Sequence, residues 1–180
     1  MLNDIQSYLE NKNICLLGNG KSILITEKNI DSYDIVCRIN KGYPKGRERF
    51  IGSRTDVLFL ATRIEGSDIK REFHPQFVIW TTESIELQSE WVRNNAIQNP
   101  VKDWQKVQFI LTTLPSTGCI AIYFLLNYIN FKTLTIYGFD FFKSGTWYHN
   151  LKQTWHCGDI EKEFITNLIQ KDSRVQLMIE

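Results

Sequence analysis

The stretch ICLLGNGKSIL, Ile14 to Leu24, decides how the chain is read. An apolar run from Ile14 to Leu17 meets Gly18-Asn19-Gly20, as a strand does when it reaches a tight turn, and Lys21-Ser22 behind it invites comparison with the phosphate loop G-x-x-x-x-G-K-[ST]. Counting back from Gly20 puts Cys15 where the first glycine of that loop must stand. Cys15 lies inside the apolar run, so the backbone has no slack with which to wrap a phosphate. The third glycine of a dinucleotide fingerprint is missing as well. Two readings remain open. Gly18 and Gly20 permit close approach of a ligand to the backbone, with the Asn19 amide offered to it; or the segment is a plain turn with Asn19 in a left-handed conformation.

Working outward, β-rich runs recur at Asn13 to Gly18, Asp34 to Asn40, Thr55 to Ala61, Phe77 to Thr82, Val107 to Thr112, Thr133 to Gly138 and Val175 to Met178. Several are apolar throughout rather than alternating, which is the pattern of a strand covered on both faces. Helical patterns lie between them, most clearly at Gly118 to Tyr128 and Asp159 to Gln170, and residues 1–13 read as a short amphipathic helix. The expected fold is α/β: one domain over residues 1–180, a mostly parallel twisted sheet of about seven strands with helices on both faces, Rossmann-like. Ligands of such sheets bind beyond the carboxyl ends of the strands.

The chain has 180 residues, 43% of them hydrophobic, enough for one substantial core. Its 21 basic and 20 acidic residues give a net charge of +1, so no global field recruits nucleic acid or an anionic membrane. The run most like a membrane span, Cys119 to Phe131, is interrupted by Asn127 and Asn130 and is shorter than the roughly 20 apolar residues a span requires. Cys15, Cys37, Cys119 and Cys157 are far apart and show no C-x-x-C spacing. A soluble protein of a reducing, cytoplasmic compartment is expected, with no stable membrane insertion.

Three further segments carry a likeness: IDSYDIVCRIN with IGSRTDVLFL, LPSTGCIAIYFLLNY, and LTIYGFDFFKSGTWYHN with HCGDIEKE. With LLGNG they form an ordered series that resembles the sialyltransferases of glycosyltransferase family 29. The family's long motif looks like Leu16 to Asn40 with Gly52 to Thr55. Its short motif looks like Pro115 to Gly118 with Tyr137-Gly138-Phe139, its third Trp147 to His149, and its last His156 with Glu161. Residues 61–105 match none of them. The resemblance implies an inverting, metal-independent, cofactor-free transferase that moves sialic acid from CMP-sialic acid to a glycan hydroxyl, with a galactosyl acceptor. It implies that Gly18, Asn19, Gly20 and Asn40 face the CMP and that Ser116, Thr117 and Gly118 hold its ribose or phosphate. His149 would then bind the departing phosphate, and His156 would take the acceptor's proton. The disulfide and membrane anchor of vertebrate-like members are expected to be missing: Ile14 and Ile129 look like the cysteine positions, and Cys15 would point to the opposite face. A CMP-Kdo transferase and a non-catalytic CMP- or glycan-binding relative are the alternatives.

The residues have a chemistry of their own. Pro115 to Gly118 precede an apolar helix, so hydroxyls and free N–H groups converge at a helix amino terminus, which favours an anion; ordinary capping by Ser116 or Thr117 explains them too. An imidazole titrating near neutrality suits the removal of a proton from a sugar hydroxyl. A zinc site from His149, His156, Cys157 and Asp159 fits poorly, because adjacent His and Cys seldom reach one ion, and no Asp-x-Asp element is present. Lys41, Lys45, Arg47, Arg49 and Arg54 form a solvated loop or steer an acidic ligand. Trp147, Tyr148 and Trp155 stack on a sugar or pack in the core.

Overall fold

The apolar runs become strands because, once both faces of a sheet are covered, every position along a strand is interior. Residues 2–148 and 155–178 are described in a computed structural model. The elements are α1 (Leu2–Leu9), β1 (Asn13–Leu17), β2 (Ile35–Ile39), α2 (Glu48–Ile51), β3 (Val57–Leu60), α3 (Gly66–Glu72), β4 (Phe77–Trp80), α4 (Glu90–Asn95) and β5 (Ala96–Gln98). They continue with α5 (Val101–Leu111), α6 (Thr117–Tyr128), β6 (Thr133–Tyr137), α7 (Gly158–Ile169) and β7 (Val175–Leu177). The seven strands form one sheet in the order β5-β4-β3-β2-β1-β6-β7. All six pairings are parallel. The chain runs outward from β1 to β5, returns through α5 and α6, and inserts β6 on the other side of β1. The crevice between the ends of β1 and β6 is therefore the topological switch point.

Period-two alternation sends neighbouring residues of each strand to opposite faces. Ile14 and Leu16, Cys37 and Ile39, and Leu134 and Ile136 pack under α1, α5, α6 and α7. Cys15, Leu17 and Val36 face Ile23, Ile30 and Ile51 on the other side, while Leu58, Leu60, Val78 and Trp80 meet α3 and α4. Ile14 and Cys15 thus do lie on opposite faces. Among α6 residues, Ile120, Ile122, Phe124 and Leu125 are at most 1% exposed. Each such side chain stabilises the fold by about 1.5–3 kcal/mol through burial.

The run Val107 to Thr112, expected as a strand, is the end of α5. Val107 and Leu111 are buried one helical turn apart while Phe109 is 84% exposed, a spacing that only a helix satisfies. The seventh strand is instead β5, whose three residues Ala96–Gln98 pair with β4.

The long motif has a structural core. Arg38, 1% exposed, donates to the carbonyls of Ile51, Gly52 and Arg54 and to the Thr55 hydroxyl, all at 2.8–3.1 Å. Asp31 accepts the amides of Ser53 and Arg54 and the Ser53 hydroxyl. These two residues fasten the Gly52–Thr55 segment beside β2. Burial pulls the Arg38 pKa down to about 10, with Asp31 as the leading opposing charge.

Candidate active site

A cavity of about 320 Å³ opens at the switch point. Gly18, Asn19 and Gly20 after β1, Asn40 after β2, and Ser116, Thr117 and Gly118 at the start of α6 all line it, and so does His156 ahead of α7. Eight of the nine residues singled out from the sequence therefore meet in one place. The ninth, His149, lies outside the described residues.

The backbones that end β1 and β6 meet without side chains between them. The Gly18 amide donates to the Tyr137 carbonyl at 2.7 Å and the Gly20 amide to the Gly138 carbonyl at 3.0 Å. A Cβ on Gly18 would fall 2.4 Å from the Gly138 oxygen, and one on Gly118 would fall 2.5 Å from Cε1 of Phe139. The Phe139 ring is thus wedged between β1 and the first turn of α6, and the two glycines make room for it. Gly138, at φ 71°, turns the chain into this wedge.

Asn19 is not left-handed; Asn40 is, with φ 48°. The Asn19 amide donates to the Ile39 carbonyl at 2.9 Å and to the Tyr148 hydroxyl at 3.1 Å. Tyr148 lines the cavity, and its hydroxyl, while accepting from Asn19, still has a proton to donate. Asn40 joins three loops, donating to the Thr117 hydroxyl at 3.0 Å and accepting from the Ala61 amide at 2.8 Å and the Thr62 hydroxyl at 3.4 Å.

At the start of α6 the Ser116 hydroxyl accepts the Cys119 amide at 3.1 Å, a regular cap. The first N–H groups of a helix have no intrahelical partner, which leaves those of Thr117 and Gly118 at the cavity wall to meet an anion. Ser116 itself is not free. Its amide and hydroxyl both donate to Glu161, at 2.6 and 2.7 Å. Burial pushes the Glu161 carboxyl above the ordinary carboxylate range, opposed by those Ser116 bonds and by His156.

The ring of His156 lies 2.7 Å from the Leu114 carbonyl through Nδ1 and stacks on Phe142 at 5.4 Å. A carbonyl only accepts, so Nδ1 carries the proton of the neutral ring and Nε2 holds the lone pair. Phe141 and Phe142 both adopt left-handed backbone, at φ 55° and 67°. Such conformations cost roughly 1–3 kcal/mol each and persist where the surroundings impose them. Gly158 makes room for the Phe141 carbonyl that results: a Cβ there would lie 2.2 Å from the Phe141 oxygen.

Asp140, Thr62, Thr82, Trp104 and Phe142 also line the cavity, and none was named as a site residue from the sequence. Asp140 and Phe142 follow the Tyr-Gly-Phe motif directly, which was the available signal; Trp104 and Thr82 fall in the unmatched middle of the chain. None of Lys41, Lys45, Arg47, Arg49 and Arg54 lines the cavity. Arg54 turns inward to Asp56, 2.9 Å away, and to the carbonyls of Tyr33 and Asp34. Arg49 pairs with Glu27 at 3.4 Å. Of the aromatic trio, Trp147 packs against the core, Tyr148 enters the cavity and Trp155 is 73% exposed. Among the described residues no group of three or more His, Cys, Asp or Glu side chains converges, and no helix is long and apolar enough to cross a membrane.

The class of fold is the α/β fold of sialyltransferases. No protein-family model and no curated protein sequence matches the chain. The crystal structure of a mammalian sialyltransferase superposes with a TM-score of 0.60 at 19% identity, over 93% of this chain and 69% of that one. The same is seen for a mammalian sialyltransferase in complex with Gal-beta-1-3GalNAc-ortho-nitrophenol, with a TM-score of 0.57 and 21% identity over 93% and 69% of the two chains. The sialyltransferase CstII from Campylobacter jejuni, in complex with a substrate analogue, cytidine-5'-monophosphate, gives 0.62 at 15% identity, over 93% and 79%.

Proposed function

We propose that the chain is an inverting, metal-independent glycosyltransferase that moves sialic acid from CMP-sialic acid to a hydroxyl of a galactosyl acceptor. The observation that carries this reading is the placement of His156. Its ring is fixed at Nδ1 by the Leu114 carbonyl. The residue lines the same cavity as the amino end of α6 and the Gly18–Gly20 turn, and Nε2 is the ring nitrogen left to act there. Nε2 takes the acceptor hydroxyl's proton as the oxygen attacks the anomeric carbon. The CMP phosphate leaves on the opposite face of the sugar, toward the Thr117 and Gly118 amides. A single displacement inverts the anomeric centre. Solved structures of this fold with cytidine-5'-monophosphate and with a galactosyl compound support the pair of substrates.

The same side chains support metal independence. Of the two carboxylates of the cavity, Glu161 is held through both oxygens by Ser116, and Asp140 accepts from Ser144 through Oδ2. A nucleoside monophosphate leaving group also needs less neutralisation than a diphosphate.

The test is transfer from CMP-sialic acid in the presence of a chelator, with CMP-Kdo as the competing donor. His156→Ala is expected to lower the transfer rate by about 10²–10⁴ while CMP affinity stays within a few fold. Transfer unchanged in this variant refutes the assignment of the base; CMP binding without transfer to any acceptor by the intact protein refutes the enzyme.

A further inference from the structure

Glu161 sits where its charge is least welcome. It is 2% exposed, at the amino end of α6, in a cavity that on the reading above receives an anionic phosphodiester. No lysine or arginine among the described residues lines that cavity. Both carboxylate oxygens are engaged by Ser116, Oε1 by its amide and Oε2 by its hydroxyl. The hydroxyl's only proton is thereby spent on Glu161 and is withheld from any ligand, although Ser116 lines the cavity.

We propose that Glu161 takes up one proton when the donor binds, and that this proton turns the Ser116 hydroxyl from the carboxylate to an anionic oxygen of the donor. The proton comes from solvent and settles on Oε2, whose new O–H donates to Ser116 Oγ. The second lone pair of Oγ keeps the Cys119 amide, so the helix cap survives. The hydroxyl's own proton, released from Oε2, points at the ligand. Oε1 keeps the Ser116 amide. Only hydrogen bonds change, and one proton enters with each donor. Glu161 is in this sense a positioning residue for the donor: it acts through Ser116.

Burial of Glu161 favours uptake, against the Ser116 bonds and His156. The titratable groups packed near Glu161 are His156, with Nδ1 4.0 Å away, and buried Cys119 on α6. On α7 itself Asp159 and Glu163 are exposed and Lys162 is half-buried; on α5, Lys102 and Lys106 are exposed and Asp103 is held by the Tyr128 hydroxyl. Asp140, across the cavity, is tied to Ser144. An anion arriving beside a desolvated carboxylate raises its pKa further, so affinity falls by up to tenfold per pH unit once the free carboxyl has ionised.

The probe is the methyl ester of CMP, a phosphodiester whose charge is constant where a phosphomonoester titrates, near about pH 6. Calorimetry in two buffers of different ionisation enthalpy counts protons taken up per ligand. Net uptake is expected in the wild type and in His156→Asn, and none in Glu161→Gln, whose affinity becomes independent of pH. A difference infrared spectrum of the wild type is expected to gain a protonated carboxyl band on ligand addition, a readout that does not depend on how any variant folds. Ligand binding with no proton uptake, uptake that persists in Glu161→Gln, or uptake lost only in His156→Asn overturns the proposal. Absence of binding at every pH refutes instead the reading of the cavity as a CMP site.

Discussion

Replacing Gly118 by alanine tests the geometry on which the cavity rests. The added Cβ would stand 2.5 Å from Cε1 and 3.1 Å from Cζ of Phe139. Carbon atoms settle at about 3.5–4.0 Å, so the ring has to retreat by about 1 Å. Toward β1 the ring already uses the space that Gly18 leaves, with Cδ2 2.7 Å from the place a Cβ on Gly18 would take. Against this stands the helical preference for alanine over glycine, about 1 kcal/mol in favour of the variant. Overpacking of a tight interior contact costs about 1–3 kcal/mol. The expected balance in urea unfolding is a net loss of up to about 2 kcal/mol. Because the Thr117 and Gly118 amides move with the first turn of α6, CMP affinity by calorimetry is expected to drop about tenfold or more. Phe139→Leu in the same chain removes the obstructing ring edge and is expected to return at least half of the lost stability, a coupling between neighbours that additive effects do not produce. A Gly118→Ala protein that is more stable by the helix-propensity amount and binds CMP as the wild type does would show that Phe139 is not held between the two glycines.

Two further outcomes concern the scaffold. Arg38→Ala strands the carbonyls of Ile51, Gly52 and Arg54, and at about 1–3 kcal/mol for each buried group left unpaired the expected loss in urea unfolding is about 3 kcal/mol or more; a loss below 1 kcal/mol contradicts the clamp. For Asp31, burial pulls its pKa up but the Ser53 and Arg54 amides and the Ser53 hydroxyl outweigh it, so the folded pKa lies below the ordinary value of 3.8. Its contribution to stability is present above that value and is lost as pH falls through the folded pKa. Asp31→Asn is therefore expected to cost about 1 kcal/mol at neutral pH, given the exposure of the side chain, with the difference from wild type vanishing at the acid end of a urea series. A difference that is independent of pH refutes the assignment.

The order of strands and helices was legible because sheets covered on both faces leave continuously apolar strands. It failed at Val107-Gln-Phe-Ile-Leu111, where the composition is that of a strand and the decisive fact, burial at three- and four-residue spacing, emerges only from the packing of α5. Ala96–Gln98 was missed because three residues carry too little pattern. The cavity was legible where its residues have few other uses: glycines beside hydroxyls, and a histidine before a helix. What a side chain does once it is there was not. Ser116 and Glu161 are 45 positions apart, and no spacing rule announces that each holds the other. Likewise the basic run reads as a solvated loop or a field for anions, yet Arg54 serves the carbonyls behind β2.

The insertion of β6 beside β1 also dictates when the cavity comes into being. One wall is made at Gly18 and the facing wall at Gly138, and the two are joined amide to carbonyl across the sheet. A chain emerging during synthesis can lay down β1 to β5 in succession, yet holds only half a nucleotide pocket until the seventh decade of its second hundred residues, α7 and Glu161 among them, has docked. Ligand affinity is then a report on the last act of assembly, and nucleotide present during refolding is expected to draw that act forward.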